Sequence, residues 1–427
     1  MKVRLSLLLC LLFCTAAVAR PVSITTLPLV ETDDGAWRLP AGEYAGNFRI
    51  DTSMKFACEE GAIIDAGGKG HALAIAAPEV SVEGCTLVNW GRNLTNLDSA
   101  VFVLPTAHGA IVRNNTLRGP GFGVWVDTTR DVQVLENDIT GVADVRSQDR
   151  GNGIHLYSVR GARVAGNRVR DVRDGIYVGN TTKSVLENNV LEGMRYGVHY
   201  MYSHDNRVSG NLTRHTRTGY ALMQSRDLVV RGNRSEDDQN YGILMNFITY
   251  SELVDNVVRG VRQGSSGGVM IQGAEGKALF IYNSQGNRIE RNRFEDSSLG
   301  IHLTAGSEGN QISSNAFINN QQQVKYVATR RQEWSVEERG NYWSDYLGWD
   351  RNGDGIGDLA YEPNDGVDRL LWIYPQARLL MNSPAIELLR WVQRIFPVMR
   401  SPGVQDSYPL MHPPGEAALA SGKEARS

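Results

Sequence analysis

Apolar and polar residues alternate along the middle of the chain in runs of only three or four positions, each closed by Asn or Gly. That is a period of two, the mark of half-buried strands rather than helices. The runs recur. An aliphatic-x-x-Asn motif ends at Asn114, Asn137, Asn167, Asn188, Asn211, Asn233, Asn256, Asn292 and Asn315, at spacings of 23, 30, 21, 23, 22, 23, 36 and 23. A Gly-aliphatic-x-aliphatic motif interleaves with it, starting at Gly123, Gly153, Gly175, Gly197, Gly219, Gly242, Gly268 and Gly300. Each unit holds two or three short strands and cannot bury its own apolar face, so it must stack on its neighbours. A leucine-rich-repeat consensus is missing. The pattern predicts an all-β protein, a right-handed parallel β-helix over residues 20–330 with coils of about 22 residues, roughly a dozen in number. The recurrent Asn would then stack inside as a ladder of side-chain amides.

Two spacings are too long. About eight residues, ADVRSQDR, are added between Asn137 and Gly153 as a polar loop. About ten more are added within QGAEGKALFIYNSQGN, a loop carrying Phe280, Ile281 and Tyr282. Apolar residues in a loop either dock a partner or pack on the wall of the solenoid, and both readings are open.

Composition sharpens this picture. The 427 residues include 45 Gly and 29 Asn, yet 242 consecutive residues between Pro120 and Pro363 contain no proline. Disordered Gly-rich chains bring Pro with them; continuous β-ladders exclude it because every N–H is in use. A formal charge of −3 gives no reason to expect nucleic acid. Residues 1–19 read as a secretory signal peptide, with Lys2 and Arg4, an apolar stretch from Leu5 to Cys14, and Ala17-Val18-Ala19 at the cleavage site. Phe13 before Cys14 argues against a lipoprotein, so the mature chain is expected to be exported and soluble. Cys58 and Cys85 remain, either paired or as buried thiols.

If the aliphatics of the glycine motif point inward, the residues between them point out. One column reads Trp125, His155, Tyr177, His199, Ala221, Leu244, Met270, His302, and two residues on lies Asp127, Tyr157, Gly179, Met201, Met223, Asn246, Gln272, Thr304. His199, Met201 and Met223 become neighbours there, with His204 close by and His155 further along the column. Imidazole with thioether suits Cu(I). The plain alternative is a stripe that packs or binds, with Met as gap filler. Parallel β-helices often act on polysaccharides through clustered carboxylates, but Asp127 is the single acid in these columns, which argues against a lyase, epimerase or glycosidase.

Beyond the repeats, residues 331–382 read as a cap. Asp350, Asn352, Asp354 and Asp358, with Gly355 at the sixth place and Ile356 at the carbonyl position, form the first part of a calcium loop, but Tyr361 stands where a bidentate Glu is needed. A tight Asx/Gly turn is the alternative. Asn341-Tyr342-Trp343 and Trp349 are expected to close the open end. Ser383 and Pro384 start a helix over residues 383–400 whose apolar residues, among them Trp391, Ile395 and Phe396, cover most of its circumference and must be buried against the solenoid, a partner or a membrane surface. Residues 401–427 are expected to be a flexible tail.

The signal peptide, the Asn-rich solenoid, KALFIYNSQGNRI, GNYWSDYLGWDRNGDGIGD and the closing SPAIELLRWV together resemble the NosD family over essentially the whole mature chain. The C-terminal combination is the specific part. The resemblance implies a periplasmic, non-catalytic accessory protein for maturation of nitrous oxide reductase. It also implies work with an ABC-type membrane complex, the NosF ATPase and NosY permease, in assembling the copper sites of the apo-enzyme, with copper coming from the chaperone NosL. The C-terminal helix would then dock on the permease.

Overall fold

The computed structural model describes residues 21–414 other than 264, 267–268, 271–274, 305, 328–329, 365–382 and 396–402. Three sheets of thirteen strands each, parallel except where Val30–Glu31 pairs antiparallel with Ala36–Leu39, wrap one hydrophobic core. One coil shows the plan: Asp174–Gly179 lies in the first sheet, Val185–Glu187 in the second and Val190–Glu192 in the third. The next coil repeats it with Tyr196–Met201, Asn206–Ser209 and Leu212–Arg214. Inward Ile176, Val178, Leu186 and Leu191 are fully buried, stacked on Val198, Tyr200 and Val208 of the coil above. The expected parallel β-helix is therefore present, and about thirteen coils replace the expected dozen.

The internal amide ladder is also present, with one shift. It runs Asn115, Asn137, Asn167, Asn189, Asn211, Asn233, Asn256, Asn292, Asn315, Asn341. Asn114 and Asn188, read from sequence as members, precede it with φ of 54° and 55°. The bend needs a left-handed residue first and an inward amide second. Gly166, Gly210 and Gly232 fill the first role elsewhere, so in each Asn-Asn pair the motif caught the wrong partner. With Asn115 and Asn189 in place, the interval is 22 or 23 residues wherever no loop is inserted below the cap.

The second insertion lies earlier than expected. Lys277–Tyr282 is a coil strand paired with Tyr241–Thr249 and Leu299–Thr304, so Phe280 replaces Met270 in the outward column and Ala278 stands where Gly268 was expected. Phe280, Ile281 and Tyr282 are thus wall, not loop, and the added residues precede Lys277. Ile281 is fully buried in the core. An aliphatic-aromatic run with period-two contacts belongs to the ladder, and the small, polar stretch before it is what can bulge out.

The ends are sealed. Cys58 and Cys85 form a disulfide near the N-terminal end. At the other end Phe317, Trp343 and Tyr361 stack with centroids 4.3 and 4.7 Å apart, closing the core as an aromatic lid. Trp349 takes no part; it is exposed, with Arg351 over its ring. Residues 403–414, expected within a flexible tail, are folded instead. Val404–Gln405 pairs with Gln332–Glu333, and Val404, Asp406 and Leu410 are buried. Asp406 accepts from the main-chain N of Asn341 (2.7 Å) and Nε1 of Trp343 (2.8 Å), fastening the returning chain to the last rung of the ladder. The helix runs Pro384–Ile395, and no described helix is long and apolar enough to cross a membrane.

Two predictions follow from the interior. The Asn211 amide accepts from the N and Nδ2 of Asn189 and donates to Leu186 O and Asn233 Oδ1, all at 2.8–3.0 Å. Each buried group left without its partner costs about 1–3 kcal/mol, so Asn211→Ala should lower unfolding free energy in urea by about 3 kcal/mol or more. Asp238 is buried inside the solenoid among the hydroxyls of Thr213, Thr216 and Ser235. Burial raises its carboxyl from 3.8 to about 6 against those hydrogen bonds. Such a group stabilises the fold fully below its unfolded pKa, and that contribution is lost as pH rises through about 6. Comparing unfolding at pH 4 and pH 7, Asp238→Asn should abolish a pH-dependent loss of at most about 3 kcal/mol.

Candidate functional site

The outer face of the first sheet carries the column read from sequence. Trp125, His155, Tyr177, His199, Ala221 and Leu244 follow one another in register. Trp125 and His155 stack at 3.8 Å between centroids, His155 and Tyr177 lie 4.4 Å apart, and Tyr177 meets His199 edge-on at 4.8 Å. Although outward, Trp125, His155 and His199 are buried. The reason is a break in the strand alternation. A Cβ on Gly175 would point inward, 2.7 Å from Met194 Sδ and 3.0 Å from Leu191 Cδ2, although the next residue, Ile176, also faces in. Two consecutive inward positions bring Asp174 out onto the same face as Tyr177 and His199. The same step sets Phe122 against Trp125 and Tyr196 against His199.

Asp174 organises this region. It is buried, and its carboxylate receives Nε and Nη2 of Arg195 at 2.8 and 2.6 Å. The Nδ1 of His199 lies 3.0 Å from Asp174 Oδ2. Burial works to raise the Asp174 carboxyl, but hydrogen bonds from His199 and Arg195, with the charge of Arg195, hold it below the usual carboxylate range. A carboxylate on Nδ1 keeps the proton there and leaves the Nε2 lone pair bare. That Nε2 is buried and has no hydrogen-bond partner. A carboxylate–histidine pair with an unused second nitrogen is the arrangement that orients metal-ligating imidazoles. His155 differs: its Nδ1 takes the Asn152 amide at 2.9 Å, and burial pushes it down to about 3, so the ring is neutral and stacked.

Met201 and Met223 are half-buried register partners two residues beyond His199 and Ala221, between Gly179 and Asn246. Ala221, the register partner of His199, is fully buried. His204 lies in the following turn, and its Nδ1 accepts the main-chain N of Arg226 at 3.2 Å. Among the described residues no three His, Cys, Asp or Glu side chains gather closely enough to hold a metal ion. A metal on this face therefore depends on thioether sulfur.

Other sequence candidates separate. Phe280 stacks on Tyr241 (5.4 Å) and His302 (4.9 Å), and Tyr282 is exposed with its edge toward Phe247. In the loop Asp350–Asp358, Asp350 accepts the amides of Gly353 and Gly355, Asn352 that of Asp354, Asp354 that of Ile356, and Asp358 that of Arg351. These are Asx-turn contacts, made by the same side chains the sequence offers as calcium ligands. On the helix Pro384–Ile395, Leu388 and Trp391 are more than half exposed, while Ile386 is buried. Phe396 lies outside the described residues, as does the Ile395 side chain.

Asp174 and Arg195 were missed from sequence because strict alternation turns Asp174 inward. The signal was present: residues directly before the motif glycines, Phe122, Asn152, Asp174 and Tyr196, form their own outer column.

A family model described as "Periplasmic copper-binding protein (NosD)" matches residues 135–348. A protein of Stutzerimonas stutzeri named "Probable ABC transporter binding protein NosD" is 68% identical over 420 residues, 98% of this chain and 96% of that protein. Its namesake in Pseudomonas aeruginosa is also 68% identical, over 95% of each chain. Among solved structures, a family 28 exopolygalacturonase of Yersinia enterocolitica has a TM-score of 0.55 at 10% identity, covering 72% of this chain and 77% of that one. The PfbA adhesin of Streptococcus pneumoniae has 0.53 at 12%, covering 72% and 92%. These two share the solenoid alone. Identity of 68% over nearly the whole length of both relatives, with a family model matching half of the chain, settles the family: the chain belongs to the NosD family.

Proposed function

We propose that this protein is an exported, periplasmic accessory of nitrous oxide reductase maturation that carries Cu(I) as cargo on the outer face of its first sheet. In this reading it is non-catalytic. It works with an ABC-type membrane complex of the NosF/NosY kind, takes copper from a NosL-type chaperone and serves the apo-enzyme. The observation that carries the proposal is the bare, buried Nε2 of His199, aimed by Asp174. His199 supplies one nitrogen, and Met201 and Met223 lie beside it with soft sulfur, a donor set that favours Cu(I) over hard cations. The names of the relatives, as ABC transporter binding proteins of a copper-binding family, support both halves of the reading. The exposed Leu388 and Trp391 make the helix Pro384–Ile395 the element proposed to reach the permease.

Titration with Cu(I) against a competing chelator tests the site. One equivalent should bind wild type. His199→Ala and Met201→Ala/Met223→Ala should each lose most of that affinity, and Asp174→Asn should weaken it by about 10–100-fold while keeping the ligands. Equal affinity in wild type and all variants would remove copper from this face. Deleting residues 383–399 should abolish co-purification with the permease while the thermal transition of the solenoid persists; a retained complex would move the docking surface elsewhere.

A further inference from the structure

Far from His199, the same outer face opens into a cleft of about 830 Å³ near the N-terminal end. It exists because Ala74 interrupts the column of large side chains, between Arg49 below and Phe102 above. Its walls are fixed. The Asn47 side-chain amide donates to the carbonyls of Lys69 and His71 at 2.7 and 2.6 Å, and Asn93 Oδ1 accepts the amides of Thr95 and Asn96. Asp98 is buried and accepts the main-chain N of Asn93 at 3.0 Å. It fits because residue 91 is glycine; a Cβ added there would collide with Asp98 Oδ2.

The chemistry of the lining is specific. The Phe102 ring and the His71 imidazole, 4.4 Å apart, both line the cleft as an aromatic pair. His71 Nδ1 is buried and has no hydrogen-bond partner. Among the described residues Lys69 and Arg92 form no ion pair, while Arg49 is already paired with Asp51. Two unpaired cations over an aromatic floor call for an anion with an apolar face. The buried Asp98 carboxylate and the Asn96 side chain offer acceptors for hydroxyl groups. An extended peptide fits poorly: the floor strands Phe48–Ile50, Leu73–Ile75 and Ser99–Val103 spend their main-chain groups on one another, leaving no edge for strand addition. The volume is in the usual range for a small-ligand site. We infer that this cleft binds an acidic oligosaccharide, a uronate-type sugar whose carboxylate meets Lys69 and Arg92 and whose ring lies on Phe102. This inference is independent of the copper proposal, which concerns coils further along.

Isothermal titration of the purified protein with trigalacturonate decides it, with the methyl-esterified trimer and a tri-glutamate peptide as comparisons. The acidic sugar should bind saturably, and the ester about tenfold or more weaker. Lys69→Ala/Arg92→Ala, both exposed and harmless to the fold, should lose about tenfold or more. Phe102→Ala should weaken binding of acid and ester alike. No saturable heat with the acid would overturn the inference. So would an ester of equal affinity, an unchanged Lys69→Ala/Arg92→Ala variant, or tri-glutamate binding as tightly as the sugar. Cu(I) affinity should be the same with and without trigalacturonate, so either proposal can fail alone.

Discussion

Everything in this molecule depends on how the chain turns its corner between the second and third sheets. There the backbone leaves the ladder and would strand an N–H in the dry interior. The Asn side chain one coil up accepts that N–H and hands its own amide onward, so each rung is satisfied by the next. The amides line up only if coils superpose at the strand-pairing distance. A rung out of place would leave at least two buried polar groups bare, a cost no single apolar contact could offset. The ladder is therefore a register device, and extra residues are tolerated only where the path bulges outward. Both long intervals, 30 and 36 residues, keep their rungs intact.

Much of this was legible in the sequence. Period-two runs, the Asn spacing and the absence of proline specify a stacked β-solenoid, because each reflects a backbone requirement that few residue types meet. The outward column was legible for the same reason. What escaped followed from geometry that local pattern does not encode. Asn114 and Asn115 look alike in sequence, yet one must take a left-handed conformation and the other point inward. Asp174 reaches the outer face only through the glycine step, so a carboxylate that fixes His199 was invisible to simple alternation. The Phe280 segment was misplaced because a Gly-aliphatic pattern at Gly268 imitates a coil that actually begins at Lys277.

Long-range closure was the least visible. Asp406 holds Asn341 and Trp343, separated from it by 65 and 63 residues, and nothing near Asp406 announces a buried carboxylate. Burial raises it to about 6 despite its hydrogen bonds, so the seal at this end holds its proton more readily than an exposed acid would. The candidate copper face has the opposite character. There Arg195 and His199 keep Asp174 ionised, which suits a carboxylate whose task is to hold an imidazole proton in one place.

The returning C-terminal segment has a mechanical consequence. Tyr361 and Asp406 exchange two main-chain hydrogen bonds, at 2.8 and 2.9 Å, and the helix Pro384–Ile395 lies on the stretch of chain between them. The helix thus belongs to a chain loop whose two ends meet in one clasp beside the aromatic lid. A singly attached helix would swivel and dissipate a pull. Tension on a loop closed at both ends meets at the clasp, where Asp406 is also bonded to Asn341 on the last rung.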